Sequence, residues 1–397
     1  MDRRQFRPDI SVSRVTNSPG EHFFGYYDKT PWSTSGQLLL AMQTTFHDRQ
    51  PEADDRIKLG TIDCEGKRLF ESFATTTAWC WQQGTMLQWL PNRPDTVLYN
   101  DRRKDRFVGV VHELQTSHET EYERAIYALD PLGRYGIGLN FSRLATHRPG
   151  YGYEGLCDPH AHESAPDADG LWIIDLESGT ATLLLSLAAI VAIDADDAMQ
   201  GHTHWLNHAQ INTDGSRIAV LHRWAPPGCP RQTRLLTVGP DGSDPRIVWS
   251  ARHVSHYDWR NTNEILVWGG APTRQNAFWS VSDSGSEPQL FGVNVLHEDG
   301  HCSYSPNGDW IVTDTYPNDD RLRKLMLVRT LDARCIDIAA FYAPRSVDGP
   351  LRVDLHPRWN RDSTKLCTDS IHEGTRQMYV VDVGPVVATP CNPPVAP

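Results

Sequence analysis

Hydrophobic and polar residues alternate with a period of two on both sides of a short turn near residue 306. The segments 303–305 and 310–313 each show this alternation, which predicts two half-buried strands. Between them, Pro306-Asn307-Gly308 combines a fixed φ with a residue that tolerates the left-handed region, as a tight turn requires. The segment therefore predicts a β-hairpin, and His301 stands at its open end.

The same hairpin pattern recurs along the whole chain, and seven copies are recognisable. Their turns lie at Thr34-Ser35-Gly36, Asn92-Arg93-Pro94-Asp95, Leu132-Gly133-Arg134, Thr213-Asp214-Gly215, Asn261-Thr262-Asn263, Pro306-Asn307-Gly308 and Asn360-Arg361-Asp362. Repeated β units of this kind, in which strands alternate with tight turns, are typical of propeller blades. The sequence therefore predicts an all-β fold, a seven-bladed β-propeller with four-stranded antiparallel blades, formed by residues 1–397 as one domain.

Turn and strand signals also predict where the blades begin. Blade 1 is expected from about Glu21 to Leu69, blade 2 from Thr77 to Tyr122 and blade 3 from Ala125 to Leu187, while blades 4 to 7 begin near His202, His253, His297 and Arg352. The segment 186–199 predicts a helical or irregular insertion, and 385–397 a flexible tail. A strand within about 8–16 has no early partner, so we expect it to close the ring by joining the last blade.

Composition narrows the range of functions. A hydrophobic content of 39%, with 29 glycines and 27 prolines, fits a globular, turn-rich chain, and a net charge of -12 argues against a nucleic-acid or anionic-membrane surface. The eight cysteines lack a CxxC pair, which favours free thiols over disulfides or a zinc site. Because no apolar leader is visible and the longest apolar run, Leu183 to Ile193, is too short to span a bilayer, we expect a cytoplasmic protein.

Four histidines occupy equivalent or near-equivalent positions at the start of the innermost strand in consecutive blades: His208, His256, His301 and His356. A single loop histidine is usually a hydrogen-bonded structural residue. Innermost strands of a propeller line one central channel, so equivalent positions converge at one opening. The four residues together therefore predict a shared functional site.

These histidines, with the motifs around them, resemble those of the oligogalacturonate lyases, seven-bladed polysaccharide lyases of pectin catabolism. The resemblance covers most of the chain, from Tyr26-Tyr27-Asp28-Lys29 through the hairpin at 175–182 to His356-Pro357 and the strand at 379–383. It implies that His256 acts as the acid-base group and that Arg234, in the outer part of blade 4, lies beside the reacting uronate.

The resemblance further implies a divalent metal, usually manganese, with His301 and His356 as two ligands. Here Asp354 replaces a family histidine and Leu351 replaces a glutamine. Aspartate is itself an oxygen ligand for hard cations, so a site of His301, Asp354 and His356 is chemically reasonable. Asp299 is a possible replacement ligand.

β-Elimination from a 4-linked uronate would assign a role to each group. A metal or an arginine neutralises the carboxylate, and a histidine removes the proton from C5. His256 would remove the proton, and Arg234 and the metal would neutralise the carboxylate. His208 would assist on the opposite side or donate to the leaving oxygen. The residues expected to bind an acidic oligosaccharide are Tyr26, Tyr27, Lys29, Arg143 and Arg148.

Two other functions fit the sequence. A propeller that binds a sugar or a protein without turnover would explain the altered metal ligands. A glycoside hydrolase needs two opposed carboxylates, for which Asp28, Asp258 and Asp354 are candidates. The tryptophans Trp79, Trp81 and Trp89 are interpreted as core residues, with sugar platforms as the alternative, which the adjacent Gln82, Gln83 and Gln88 weakly favour.

Overall fold

The strands of the chain form seven antiparallel sheets arranged as the blades of a β-propeller. The structure is a computed structural model that describes residues 4–67, 69–225, 230–250, 253–271 and 274–388. Consecutive strands pair within each blade, so every blade is a meander that runs outward from the central channel. The fold class predicted from the repeats is therefore confirmed.

The strand bounds follow the predicted blades closely. Before blade 1 lie β1 (Arg4–Phe6) and β2 (Ser11–Arg14). Blade 1 contains β3 (Glu21–Phe23), β4 (Leu38–Thr44), β5 (Ile57–Asp63) and β6 (Glu71–Thr76). Blade 2 contains β7 (Gln88–Trp89), β8 (Thr96–Arg103), β9 (Arg106–Glu113) and β10 (Glu119–Tyr122). Blade 3 contains β11 (Ala128–Leu129), β12 (Tyr135–Gly138), β13 (Gly170–Asp175) and β14 (Ala181–Ser186).

The remaining blades continue in the same order. Blade 4 contains β15 (His204–Ile211), β16 (Ile218–Trp224), β17 (Gln232–Val238) and β18 (Arg246–Trp249). Blade 5 contains β19 (Val254–Trp259), β20 (Glu264–Ala271), β21 (Arg274–Ser282) and β22 (Gln289–Phe291). Blade 6 contains β23 (Ser303–Tyr304), β24 (Trp310–Asp314), β25 (Leu322–Arg329) and β26 (Cys335–Tyr342). Blade 7 contains β27 (Arg358–Trp359), β28 (Lys365–Ser370) and β29 (Gln377–Asp382).

The N-terminal segment closes the ring. Strand β2 pairs antiparallel with β29 and becomes the fourth strand of blade 7, and β1 pairs with β26 as a fifth strand of blade 6. A strand of this kind is expected from the sequence within 8–16, whereas the additional strand β1 is not. Of the expected tail at 385–397, residues 389–397 lie outside the described residues. The first part is packed rather than flexible, because Val386 is buried in a short helix.

Helices are few among the described residues, and all are short. They are α1 (Phe141–His147), α2 (Leu187–Ala192) and α3 (Gly384–Val387), with 3-10 turns at Asp197–Met199, Arg345–Val347 and Gly349–Leu351. Helix α2 begins at Ser186, whose hydroxyl accepts from the Ala189 amide as an N-cap. This insertion lies where the sequence predicts it. In the described part of the chain, no helix has the length and apolar character needed to cross a membrane.

Apolar side chains from adjacent blades pack between the sheets. Trp79, Trp81 and Trp89 belong to this core, and each indole N–H donates to a backbone carbonyl. The interpretation of these tryptophans as core residues therefore agrees with the structure, and the sugar-platform alternative does not. The six described cysteines are free thiols, while Cys229 and Cys391 lie outside the described residues.

The first strand of each blade runs along the central channel between two openings. We call the opening lined by His208, His256, His301 and His356 the histidine mouth. The opposite opening, next to the innermost hairpin turns, is called the turn end. In blade 5, for example, β19 passes from His256 through Asp258 to the turn at 260–263, so these two residues face different ends of the channel.

Deletion of residues 1–14 should lower the melting temperature, because β29 would lose its outer partner and expose an unpaired edge. Four residue pairs join β2 to β29, and cross-strand pairs contribute about 0.2–1 kcal/mol each. Deletion of residues 1–7 is the matched control, since blade 6 would keep four strands. Thermal denaturation followed by circular dichroism checks this, and equal melting temperatures for the two truncations would contradict it.

Candidate functional site

The four histidine rings predicted to share one opening do converge at the histidine mouth. The ring centroids of His256 and His301 are 4.2 Å apart, and those of His301 and His356 are 4.3 Å apart. His208 lies 6.4 Å from His256 by the same measure. All four side chains are buried, so they form one continuous cluster beneath the protein surface.

Local backbone irregularities direct these rings into the channel. The pairing register shifts around His208 in β15 and around His256 in β19, and such bulges re-aim side chains. His208 and His356 have φ values of 51° and 43°, which are uncommon for residues other than glycine. Before His301 the chain requires Gly300, because a Cβ there would collide with the Asp314 carbonyl oxygen. Backbone strain of this kind is often found at functional sites.

One buried carboxylate, Asp314 at the end of β24, holds two of the histidine loops together. It accepts the backbone N–H of His301 at 2.7 Å and that of His356 at 3.2 Å. It also lies 2.9 Å from His301 Nδ1. Because a carboxylate only accepts, Nδ1 carries the proton and Nε2 keeps its lone pair toward the mouth.

His301, Asp354 and His356 could together hold a metal ion. One ligand atom from each residue lies within 4.8 Å of the others. His301 Nε2 and His356 Nε2 are buried and have no hydrogen-bond partner among the described residues, as expected for atoms that face an ion. The contact of Asp314 with His301 is the usual support behind a metal-bound histidine. The residues present therefore fit a divalent cation.

Two arginines flank the carboxylate of this group. Arg352 Nε donates to Asp354 Oδ2 at 2.7 Å, and Arg323 Nη2 lies 2.8 Å from Asp354 Oδ1. Burial alone would raise the pKa of Asp354, but Arg352 and Arg323 outweigh it and hold the pKa well below its ordinary value. Arg352 also donates to the Tyr151 hydroxyl at 2.6 Å. Asp354 is therefore an ionised side chain whose charge is already shared.

His256 forms a dyad with Asp299. Its Nδ1 donates to Asp299 Oδ1 at 2.8 Å, and no hydrogen bond between described residues engages its Nε2. Burial lowers the pKa of His256 although Asp299 opposes the shift, so the imidazole is neutral near pH 7. Asp299 is thus the partner of His256 and not the replacement metal ligand suggested from the sequence.

His208 and Tyr26 form a stacked pair in the mouth. Their ring centroids are 4.7 Å apart, and the Tyr26 hydroxyl lies 3.3 Å from His208 Nε2. The Tyr127 hydroxyl lies 3.3 Å from Nδ1 on the other side of the ring. Burial, with Arg223 next, lowers the pKa of His208 well below its ordinary value. A neutral His208 therefore holds tyrosine hydroxyls in place.

Tyr27 contributes its ring to the mouth but not its hydroxyl. The hydroxyl donates to the Tyr257 carbonyl at 2.8 Å and accepts the Tyr257 N–H at 3.1 Å. The ring lies 5.3 Å from His301 and 5.8 Å from His256 between centroids. The expectation of a substrate-binding Tyr27 hydroxyl is therefore corrected, because both of its hydrogen-bonding directions serve the fold.

Arg234 does not point into the histidine mouth. Its Nε donates to His222 Nδ1 at 2.9 Å, and its two other nitrogens donate to carbonyls of the insertion, including those of Ile190 and Ile193. It thereby binds the C-terminal end of α2 to blade 4. The expected position beside the reacting group is wrong, because these hydrogen bonds direct the guanidinium away from His256.

Two other expected substrate-binding residues have structural partners. Arg143 is buried and makes five hydrogen bonds, to the Asp158 carboxylate and to four backbone carbonyls that anchor the long loop of blade 3. Lys29 lies toward the turn end, where its ammonium contacts both Asp28 oxygens at 2.9 and 3.0 Å. Neither side chain presents a free charge to the histidine mouth, so both assignments are corrected.

Arg148, in contrast, belongs to a cluster of three arginines at the mouth. Of the three, only Arg148 is expected from the sequence to bind substrate. Its guanidinium lies 4.6 Å from the Tyr151 ring centre, and Arg223 and Arg231 are its neighbours. Burial, together with the nearby charges of Arg231 and Arg148, lowers the pKa of Arg223 to about 9. Among the described residues, no carboxylate forms an ion pair with any of the three. We call these residues the arginine cluster.

The arginine cluster has the properties of an anion site. Buried nitrogens of all three residues lack hydrogen-bond partners within the described ranges, including Nε and Nη1 of Arg223, which is only 2% exposed. Unpaired buried charge is costly unless a counter-charge arrives. A carboxylate that docked here would satisfy these donors in the bidentate manner that guanidinium favours.

The carboxylates considered for a hydrolase do not form an opposed pair at the mouth. Asp28 is paired with Lys29, and Asp258 accepts the Tyr304 N–H at 2.8 Å, both on the turn-end side. Burial raises the pKa of Asp258 to about 8. Of the three candidates only Asp354 lies at the histidine mouth, so the geometry gives the hydrolase reading no support.

No protein-family model matches this sequence, but solved structures with a similar fold do. The structure is similar to oligogalacturonate lyase from Vibrio parahaemolyticus, with a TM-score of 0.63 and 13% identity over 96% of both chains. An oligogalacturonate lyase in complex with manganese gives a TM-score of 0.66 and 14% identity over 97% of both chains. The chain resembles oligogalacturonate lyases at a distance.

Other propellers are also similar, which limits what the fold implies about activity. The tricorn protease matches 92% of this chain, but only 34% of its own, with a TM-score of 0.51 and 9% identity. At such identities the likeness concerns the fold alone. The oligogalacturonate lyases match along their full length, which agrees with the resemblance seen in the histidine and hairpin motifs.

Replacing Asp299 with asparagine should lower the pKa of His256. Asp299 raises that pKa by its charge and hydrogen bond, so its removal would leave the effect of burial less opposed. His256 would then remain neutral to lower pH than in the wild type. NMR titration of the imidazole, assigned with His256→Gln, measures the shift, and Asp309→Asn at an exposed turn is the control. An unchanged pKa would contradict the dyad.

Proposed function

We propose that this protein is a lyase that cleaves a uronate-containing oligosaccharide by β-elimination, with a divalent metal, Mn²⁺ by analogy, as cofactor. The main support is the arrangement of the mouth. The possible metal ligands come from blades 6 and 7, the arginine cluster comes from blades 3 and 4, and the His256–Asp299 dyad stands between them. Two groups that attract carboxylates on either side of a neutral base suit proton removal next to a carboxylate.

In the proposed reaction, Arg223 and its neighbours bind a carboxylate of the substrate and hold the sugar in the mouth. His256 Nε2 removes the proton from C5, and Asp299 stabilises the imidazolium that forms. The electron pair forms the C4=C5 double bond while the C4–O4 bond breaks. The departing oxygen gains a proton, for which the Tyr26 hydroxyl, held by neutral His208, is the candidate donor. His208 thus keeps an indirect role on the leaving-group side.

His301, Asp354 and His356 are the residues that would hold the metal. When bound, the ion would act as a Lewis acid that neutralises the uronate carboxylate and stabilises the charge developing at C5. Asp314 would fix His301 in the tautomer that leaves Nε2 free for the ion. Manganese is proposed because one similar lyase is known as a manganese complex and the group combines imidazole with carboxylate.

Replacing His256 with glutamine should reduce turnover about 10²- to 10⁴-fold, the usual contribution of a general base. Release of the unsaturated product is followed by ultraviolet absorbance of the C4=C5 double bond, with Mn²⁺ and a panel of uronate oligosaccharides. His118→Gln, at an exposed position of blade 2, is the matched control. Wild-type protein that binds these sugars without forming unsaturated product would instead support the non-catalytic propeller.

Replacing Arg223 with glutamine should lower kcat/KM about 10- to 100-fold, because hydrogen bonds to charged groups contribute roughly 1.5–3 kcal/mol. Much of the loss should appear in KM if Arg223 binds the ground-state carboxylate. The same absorbance assay measures it, with Arg246→Gln, a half-exposed arginine of blade 4, as the control. A larger loss in Arg234→Gln than in Arg223→Gln would return the role to Arg234.

A further inference from the structure

Two arginines bind the carboxylate of the candidate metal group, although holding a metal ion does not require them. Asp354 is its one carboxylate ligand, and it is fully buried between Arg352, with Nε at 2.7 Å, and Arg323, with Nη2 at 2.8 Å. Oδ2 nevertheless stays within reach of the imidazoles, 4.0 Å from His301 Nε2 and 3.9 Å from His356 Nε2. The same carboxylate would therefore serve the ion and two guanidinium groups.

Among the charged side chains that contact the three ligands directly, positive and negative charges already balance without an ion. Asp354 and Asp314 contribute two negative charges, and Arg323 and Arg352 contribute two positive charges. His301 and His356 must be neutral to act as ligands. A divalent cation would add two positive charges next to the buried guanidinium of Arg323 and the partly buried one of Arg352, where solvent screens the repulsion less than at an open surface.

An anionic ligand changes this balance. A carboxylate that enters the mouth with the ion would add a negative charge and further oxygen ligands. The protein alone supplies only the carboxylate of Asp354 as an oxygen ligand within this group. Tyr316 is 36% exposed and its ring lies 6.3 Å from that of His301, so the group lies close to the protein surface on this side. Ion and acidic ligand would each reduce the electrostatic cost of binding the other.

We propose that Arg323 and Arg352 make metal binding depend on the acidic substrate, so that the ion binds weakly to the protein alone and tightly together with a uronate. The inference rests on the proposed function for the identity of the ligand. Linkage requires the effect to be reciprocal, so Mn²⁺ must increase uronate affinity by the same factor by which uronate increases Mn²⁺ affinity. Arg323 and Arg352 act here as positioning residues through Asp354.

The test is a titration of the full-length, metal-free protein with Mn²⁺, in which free Mn²⁺ is followed by electron paramagnetic resonance. It is run alone, with D-galacturonate, which has no glycosidic bond to cleave, and with neutral D-galactose. Galacturonate should tighten Mn²⁺ binding about 5- to 150-fold, the usual range of linked binding, and galactose should not. Calorimetric titration with galacturonate, with and without Mn²⁺, should give the same factor.

Arg352→Gln and Arg323→Gln should each tighten Mn²⁺ binding without ligand and reduce the factor gained from galacturonate. Arg321→Gln is the matched control, because Arg321 immediately precedes β25, the strand that carries Arg323, but pairs with Asp348. Two variants are used because Arg352 also contacts Tyr151, and circular dichroism verifies that each is folded.

Equal Mn²⁺ affinity with and without galacturonate, or no Mn²⁺ binding under any condition, would overturn the inference. So would weaker Mn²⁺ binding in both folded arginine variants. None of these outcomes depends on turnover, so they are distinct from failure of the lyase assay. Linked binding without unsaturated product would leave this inference standing and remove the proposed lyase activity.

Discussion

The carboxylate of Asp314 is the contact on which the histidine mouth depends. It accepts the backbone N–H groups of His301 and His356 and also orients the His301 ring. One buried anion thus joins blades 6 and 7 where their loops reach the channel. The same contact therefore stabilises the fold and orients a side chain of the site. Loss of this carboxylate would leave two buried N–H groups unpaired and free the imidazole to turn, so structure and chemistry would fail together.

Much of the fold could be predicted from sequence because each blade repeats a local signal. Alternation at 303–305 and 310–313 and the turn at Pro306-Asn307-Gly308 depend only on neighbouring residues, and the structure forms that hairpin as β23 and β24. The convergence of the histidines was predictable for the same reason, since equal positions in repeated units face one axis. Strand β1 escaped prediction because its partner, β26, lies far along the chain and its three residues carry little pattern.

The site could be predicted only where position within the repeat was sufficient. Arg234 and Arg223 lie on adjacent strands, and Arg234 faces His222 rather than Arg223 across the ladder. Which arginine points into the channel depends on that register, which the sequence does not show. The position of Asp299 two residues before His301 suggests a metal ligand, but the partner of Asp299 is His256 of the neighbouring blade. Pairing between two strands of blade 4 decides the first case, and a contact between neighbouring blades decides the second. Neither gives a signal in the spacing of residues along a single strand.

Closure of the ring by β2 has a consequence for how the protein is made. Strand β2, which completes blade 7, is synthesised before the strands of blade 1, whereas its partner β29 follows all the other strands of the seven blades. At about 5–20 residues per second, the ribosome needs on the order of tens of seconds to produce that partner. Asp354 and His356 shortly precede β29, so these two residues of the mouth are synthesised after the strands of blades 1 to 6. A nascent chain therefore holds β2 without its partner, and an incomplete mouth, until blade 7 has been synthesised.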